Sequence, residues 1–135
     1  MTRFSRGPVR TIGSAVRLLA YGLVAVLAGT PARAGEADVV KVEAAPEAGG
    51  TWSFDVTVAH ADDGWDHYAD KWDVVGPDGT VLATRVLLHP HDAEQPFTRG
   101  LSGVAIADTI SRVTVRAHDK VHGYGGREMT VALPR

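Results

Sequence analysis

Hydrophobic and polar residues alternate along most of the chain after residue 35. The clearest example is the segment 52–59, in which Trp52, Phe54, Val56 and Val58 are separated by Ser, Asp and Thr. A period of two sends successive side chains to opposite faces, so this segment predicts a half-buried β-strand. Similar patterns predict six more strands, near residues 40–44, 68–75, 80–88, 97–104, 112–117 and 129–133. No stretch after residue 34 keeps a helical period for three turns.

Turn-forming residues separate the predicted strands. In the sequence Gly76-Pro77-Asp78-Gly79, proline fixes its own φ and glycine accepts a positive φ, which suits a tight turn. Seven short strands within about 100 residues predict an all-β domain, namely a seven-stranded, immunoglobulin-like two-sheet sandwich.

Residues 1–34 have the composition of a secretory signal peptide. The apolar run Leu18–Gly29 is shorter than the roughly 20 residues of a membrane span. Ala32-Arg33-Ala34 matches an A-x-A cleavage site. The positive start comes from Arg3, Arg6, Arg10 and Arg17.

We therefore expect a cleaved signal peptide over 1–34 and one mature domain over 35–135. The expected location is periplasmic or secreted, with no stable membrane span after cleavage. An uncleaved N-terminal anchor is the alternative. The sequence contains no cysteine, which excludes lipid attachment at a cysteine of this chain.

The charge and the sulfur content narrow the range of partners. All 16 acidic residues lie after residue 35, whereas five of the 14 basic residues lie before it. Residues 35–135 thus carry nine basic and 16 acidic residues, a net charge of −7 that disfavours nucleic acid. Without cysteine, and with Met129 as the one methionine of this domain, a metal site would use His with Asp or Glu. Such ligands fit Zn²⁺, Cu²⁺ or Ni²⁺.

Three segments carry a resemblance to known proteins. Arg112–Asp119 resembles strand F of bacterial immunoglobulin-like and fibronectin-type modules, and Trp72 stands where such sandwiches often bury a tryptophan. The run His89–Arg99, together with His118–Gly123, resembles a group of small exported proteobacterial proteins of unassigned function. The resemblance implies an immunoglobulin-/fibronectin-like β-sandwich in an exported protein. It implies no catalytic or binding residue.

The six histidines form three pairs along the chain. If consecutive strands run in alternate directions, all three pairs fall at one end of the sandwich, and the turns at the other end contain none. Loops at the end of a rigid sandwich are frequent sites of binding. The pairs are His60/His67, His89/His91 and His118/His122.

The spacing within the pairs indicates which histidines to expect as metal ligands first. His89 and His91 flank a proline on an extended chain and should point to the same side. His118 and His122 have a ligand-like separation of four positions. We expect these four as the first ligands, with His60 and His67 next. If the alternation of the preceding strand continues, His60 points inward, as Val56 and Val58 do, and His118 points outward, as Thr114 and Arg116 do. We call these the inward and outward registers.

Acidic and aromatic neighbours add further expectations. Carboxylates that orient the imidazoles are expected at Asp66, Asp92 and Asp119. Asp62, Asp63 and Asp66 suggest a calcium site as an alternative, although their spacing matches no known calcium loop. Trp65 is expected to plug the end of the core rather than to face solvent. Arg99 is expected to pair with Glu94 or with an aspartate of the loop over residues 61–67.

The sequence therefore favours a periplasmic binding module that takes a divalent transition metal or a small polar ligand at its histidine-rich loops. The alternative is a structural or protein-interaction sandwich without a ligand, whose partner is another exported protein. An enzyme is not predicted, because the mature serines lie away from the histidines and no Gly-x-Ser-x-Gly motif occurs. A metal-dependent hydrolase, which needs three histidines, a carboxylate and an open position, stays as a further alternative.

Overall fold

The computed structural model describes residues 35–135, which contain seven β-strands and no helix. The predicted signal peptide, residues 1–34, lies outside the described residues. The strands are β1 (Asp38–Pro46), β2 (Thr51–Ala59), β3 (Ala69–Val75), β4 (Val81–Val86), β5 (Phe97–Ala105), β6 (Arg112–Asp119) and β7 (Met129–Ala132). In the described part of the chain, no helix is long and apolar enough to cross a membrane.

The strands form two antiparallel sheets. One sheet has the order β1-β2-β5, and the other has the order β4-β3-β6-β7. Each neighbouring pair is antiparallel, with Val56 of β2 opposite Val42 of β1 and Trp72 of β3 opposite Ala117 of β6. The predicted all-β domain of seven strands in two sheets is confirmed.

The core lies between the two sheets and is built from the alternating positions of the central strands. On β2 the side chains of Phe54, Val56 and Val58 are fully buried, and the intervening residues are not. Trp72 and Val74 of β3 face them from the second sheet. Burial of each such side chain contributes about 1.5–3 kcal/mol. The sandwich is therefore held by its core, with no disulfide.

The outer face of the second sheet carries a buried carboxylate. Asp73 is 1% exposed and accepts hydrogen bonds from the hydroxyls of Thr84 (2.7 Å) and Tyr124 (2.5 Å) and from Nε of Arg116 (3.3 Å). Burial raises the pKa of Asp73, but these three donors outweigh that effect and hold the pKa below its ordinary value of 3.8. The charge is thus stabilised by direct hydrogen bonds.

Three connections meet at one end of the sandwich: residues 60–68, 87–96 and 120–128. We call this the histidine end. The backbone N–H of Gly64 donates to Asp92 (3.2 Å), and Nζ of Lys120 donates to the carbonyl of Trp65 (3.2 Å). These contacts link the first connection to each of the other two. The geometry therefore brings together loops that are far apart in sequence.

Candidate metal centre

Asp62 is the structural hub of the histidine end. Its Oδ1 accepts Nδ1–H of His60 (2.5 Å) and the backbone N–H of Ala69 (3.0 Å). Its Oδ2 accepts the backbone N–H of His91 (2.6 Å). The side chain has no solvent exposure, so these three bonds compensate the loss of its hydration. Asp62 fixes the ring of His60 and joins the first connection to the second.

The second ring nitrogen of His60 faces two oxygens. Nε2 lies 3.2 Å from the carbonyl oxygen of Gly35 and 3.4 Å from Oδ2 of Asp119. Because Nδ1 donates its hydrogen to Asp62, Nε2 of a neutral imidazole has no hydrogen and carries a lone pair. A lone pair directed at two acceptor oxygens is repulsive. This arrangement calls for a positive centre, either a proton or a metal ion, between the three atoms.

His67 approaches the same carbonyl oxygen and the other oxygen of the same carboxylate from the solvent side. Its Nε2 lies 3.3 Å from the carbonyl oxygen of Gly35 and 3.8 Å from Oδ1 of Asp119. The two histidine rings meet edge to face, with 4.9 Å between their centroids. Candidate ligand atoms of His60, His67 and Asp119 all lie within 4.8 Å of one another. With metal–nitrogen bonds near 2.0–2.1 Å, ligand atoms of a tetrahedral site are about 3.3 Å apart. The 3.4 Å between Nε2 of His60 and Oδ2 of Asp119 already matches that value.

Asp119 supplies the fixed negative charge of this group. Its side chain has no solvent exposure, and Oδ1 accepts the backbone N–H groups of Val121 (2.8 Å) and His122 (2.5 Å). Burial raises the pKa of Asp119, but the two backbone donors and the nearby His60 and His122 hold it below its ordinary value of 3.8. Asp119 is therefore a carboxylate at neutral pH and carries the negative charge that a cation requires.

His122 completes what we call the imidazole cluster, which comprises His60, His67, Asp119 and His122. Its Nδ1 lies 3.3 Å from Oδ2 of Asp119, and its ring centroid lies 5.0 Å from that of His67. The side chain of His122 is 39% exposed, against 1% for His60. The cluster therefore runs from a buried ring to an accessible one.

The other histidines lie apart from this cluster. His91 is 5% exposed and stacks on Phe97 with 3.9 Å between the ring centroids. His89 is exposed, and its ring centroid lies 4.6 Å from that of His91. Neither ring nitrogen of His91 has a hydrogen-bond partner among residues 35–135. Burial lowers the pKa of His91, and repulsion from Arg99 and His89 adds to this effect.

His118 has a different environment. Its Nδ1 bonds Oδ1 of Asp70 (2.6 Å), and its ring meets that of Tyr124 edge to face at 4.8 Å. It occupies the outward register of β6, as parity predicted, whereas His60 is buried in the inward register, also as predicted. The four histidines expected as first ligands therefore do not form one group. The geometry brings His60 and His67 together with Asp119 and His122 instead.

The expected neighbours of the histidines have mixed outcomes. Asp119 lies among the rings, Asp92 bonds a backbone N–H, and Asp66 is exposed. The prediction that Trp65 plugs the core is wrong: it is 62% exposed and packs edge-on against Tyr68. The buried rings of His60 and His91 lie at this end of the core.

The predicted pairing of Arg99 is confirmed. Its two terminal nitrogens lie 3.5 and 3.3 Å from the carboxylate oxygens of Glu94. The hub role of Asp62 was missed, because a loop aspartate gives no periodic signal of where its side chain points.

Comparison with known proteins gives one informative relative. A protein of Halomicrobium mukohataei described as "Putative lipoprotein" is 44% identical over 96 residues, which are 71% of this chain and 47% of that protein. The chain thus spans about half the length of this relative. No protein-family model matches the chain. No solved structure matches it either.

Proposed function

We propose that this domain binds a divalent transition metal ion through Nε2 of His60, Nε2 of His67 and a carboxylate oxygen of Asp119. The observation that supports this most is the position of Nε2 of His60, 3.2 and 3.4 Å from two oxygens while Nδ1 is occupied by Asp62. A metal ion between these atoms removes the repulsion. The distances from Nε2 of His60 to these oxygens are also close to the distance between two ligand atoms bound to one ion.

The surroundings suit such a site. Asp62 accepts Nδ1–H of His60, and a second carboxylate in this position fixes the tautomer and the ring orientation of a metal-bound histidine. Two imidazoles and a carboxylate fit Zn²⁺, Cu²⁺ or Ni²⁺. The partly exposed rings of His67 and His122 give an ion a route from solvent. His122 is the next candidate ligand; His89, His91 and His118 stay as weaker proposals from the sequence.

The proposal includes the fold type and the compartment. The division of the strands between the sheets follows the immunoglobulin constant-type arrangement, with β1, β2 and β5 in one sheet and β3, β6 and β7 in the other. Only β4 departs from this arrangement, because it pairs with β3. We assign an immunoglobulin-like sandwich on this basis. The signal-like sequence of residues 1–34 and the description of the relative support an exported domain, periplasmic or secreted.

Thermal unfolding tests the metal proposal. The full chain is exported from a host cell, purified, and melted with Zn²⁺, Cu²⁺ or Ni²⁺ and then with excess chelator. A metal at 100 times its dissociation constant stabilises the native state by about 2.7 kcal/mol. For a domain of this size, that raises the midpoint by roughly 10–20 °C. The chelator should reverse the shift.

Matched variants test which histidines bind the metal. His67→Gln removes a partly exposed ligand and should abolish the shift, whereas His118→Gln should leave it intact because His118 bonds Asp70. Absence of a shift with all three metals would overturn the proposal. A shift lost only in His118→Gln would also overturn this ligand set.

An exported sandwich that binds another protein is the second candidate. It is favoured by large apolar side chains on the connections of the histidine end: Trp65 is 62% exposed, Val121 is 59% exposed and Leu88 is 77% exposed. Under this alternative the imidazole cluster only holds the loops together. Metal should then leave the midpoint unchanged, while substitution of these apolar residues leaves the fold stable.

A further inference from the structure

Gly35 lies inside the imidazole cluster. It is buried, and its carbonyl oxygen is 3.2 Å from Nε2 of His60 and 3.3 Å from Nε2 of His67. A Cβ atom at this position would lie 2.6 Å from Cε1 of His122. The position therefore has no room for a side chain unless the ring of His122 moves. The backbone of Gly35 is as close to these rings as the side chain of Asp119 is.

The segment that follows Gly35 is held firmly in place. Ala37 and Val39 are buried in the core. The backbone N–H of Val39 donates to the carbonyl of Arg127 (2.8 Å), and the backbone N–H of Arg127 donates to Oδ1 of Asp38 (2.6 Å). These bonds fasten the segment to residues 120–128, the connection that carries His122. Gly35 is thus positioned by the fold itself.

The sequence places the predicted cleavage site directly before this residue. The A-x-A motif ends at Ala34, so signal-peptide removal makes Gly35 the first residue of the mature protein. We infer that export completes the metal site: the new α-amino group and the carbonyl oxygen of Gly35 bind the same ion as His60 and His67. This inference rests on the proposed function. The two observations that support it are the burial of Gly35 among the rings and the position of the motif.

The chemistry of cleavage explains why the site differs before and after export. A signal peptidase hydrolyses the Ala34–Gly35 bond with one water molecule, leaving a carboxylate on Ala34 and an amine on Gly35. Before cleavage this nitrogen is an amide, which has no available lone pair for a metal. After cleavage the amine loses its proton to solvent as it binds. It then forms a five-membered chelate ring with the carbonyl oxygen of the same residue.

The completed ligand set indicates the ion. One amine and two imidazoles supply three nitrogens, with oxygens from Gly35 and Asp119. Sites rich in nitrogen and oxygen with tetragonal geometry suit Cu²⁺, which also heads the affinity order of the first-row divalent metals. We therefore assign Cu²⁺ as the ion that gains most from the amine.

The test compares amino termini of the full chain after export. Mass spectrometry should give Gly35 as the first residue. A second chain carries one serine inserted between Ala34 and Gly35, which converts the amine into an amide. A control chain carries the extra serine after Arg135. A third sample is the processed protein after transamination of its α-amine with pyridoxal phosphate, which removes the amine without adding a residue.

The readouts are Cu²⁺ affinity and the electron paramagnetic resonance spectrum of the Cu²⁺ complex. The inserted serine and the transamination should each weaken binding by at least the roughly 10- to 100-fold that loss of an outer-shell partner costs, because the amine binds the ion directly. The number of coordinated nitrogens should fall from three to two. The control chain should match the parent.

Two results would overturn the inference while leaving the metal proposal intact. One is a mature terminus at a residue other than Gly35. The other is unchanged Cu²⁺ affinity and nitrogen count in both amine-modified proteins. If the parent itself binds none of Zn²⁺, Cu²⁺ and Ni²⁺, the proposed function fails as well, so the two failures are distinguishable.

Discussion

Replacement of Asp62 by asparagine tests whether this carboxylate is the hub of the histidine end. Asparagine has the same shape but only one acceptor oxygen. With that oxygen in place of Oδ1, the bonds to His60 and Ala69 persist, and the N–H of His91 loses its 2.6 Å partner. A hydrogen bond to a charged group contributes about 1.5–3 kcal/mol, and a buried N–H left unpaired adds to the loss. We expect a destabilisation of about 2–4 kcal/mol.

Urea unfolding of the metal-free protein measures this loss. Domains of this size have total stabilities of about 5–15 kcal/mol, so the expected change is a large fraction of the total. With a slope of about 1–1.5 kcal/mol per molar urea, the midpoint should fall by roughly 2 M. Asp63→Asn is the matched control, since Asp63 is adjacent in sequence and exposed. A change in Asp62→Asn that is no larger than in this control would refute the reasoning.

Two further predictions concern groups outside the cluster. His91→Leu should stabilise the domain by about 1 kcal/mol at pH 7.5, since it removes two buried nitrogens that have no partner among residues 35–135. The pKa of His91 in the folded state is lowered from 6.5, so at a pH just below 6.5 His91 takes up a proton in the unfolded chain but not in the folded one. The parent protein therefore loses stability as pH falls below 6.5. Urea midpoints should show that the variant gains more stability over the parent at pH 5.5 than at pH 7.5. Tyr124→Phe removes the 2.5 Å hydrogen bond to the charged carboxylate of Asp73 and should cost about 1.5–3 kcal/mol at pH 7. Because the pKa of Asp73 is held below 3.8, this difference should shrink in acid-unfolding curves as pH falls through that range, and a constant difference would contradict it.

The strands were predictable because alternation reports which face of a sheet a residue occupies. Phe54 and Val56 pack as their register indicates, and the same register carried one position past β2 correctly predicts a buried His60. The predicted strand over 80–88 is shorter in the structure, Val81–Val86. Leu88 is 77% exposed, so hydrophobicity alone extended the prediction too far.

The grouping of side chains within the loops was less predictable. That the three connections meet follows from strand directions, but the partner of each histidine depends on how each loop turns. Asp62 turns inward to bind His60, whereas Asp66, four positions later, is exposed. Gly35 precedes the first predicted strand and has no side chain, so nothing in the local pattern indicated that its carbonyl would face two imidazoles.

Anomalous X-ray diffraction from crystals of the metal-loaded, processed protein tests the central claim most directly. Data collected at the absorption edge of the bound Zn²⁺ or Cu²⁺ locate the ion without reference to the protein. The account predicts one ion about 2.0–2.2 Å from Nε2 of His60, Nε2 of His67 and a carboxylate oxygen of Asp119. An ion bound between His89 and His91 or at His118 instead, or no ordered ion at saturating metal, would contradict it.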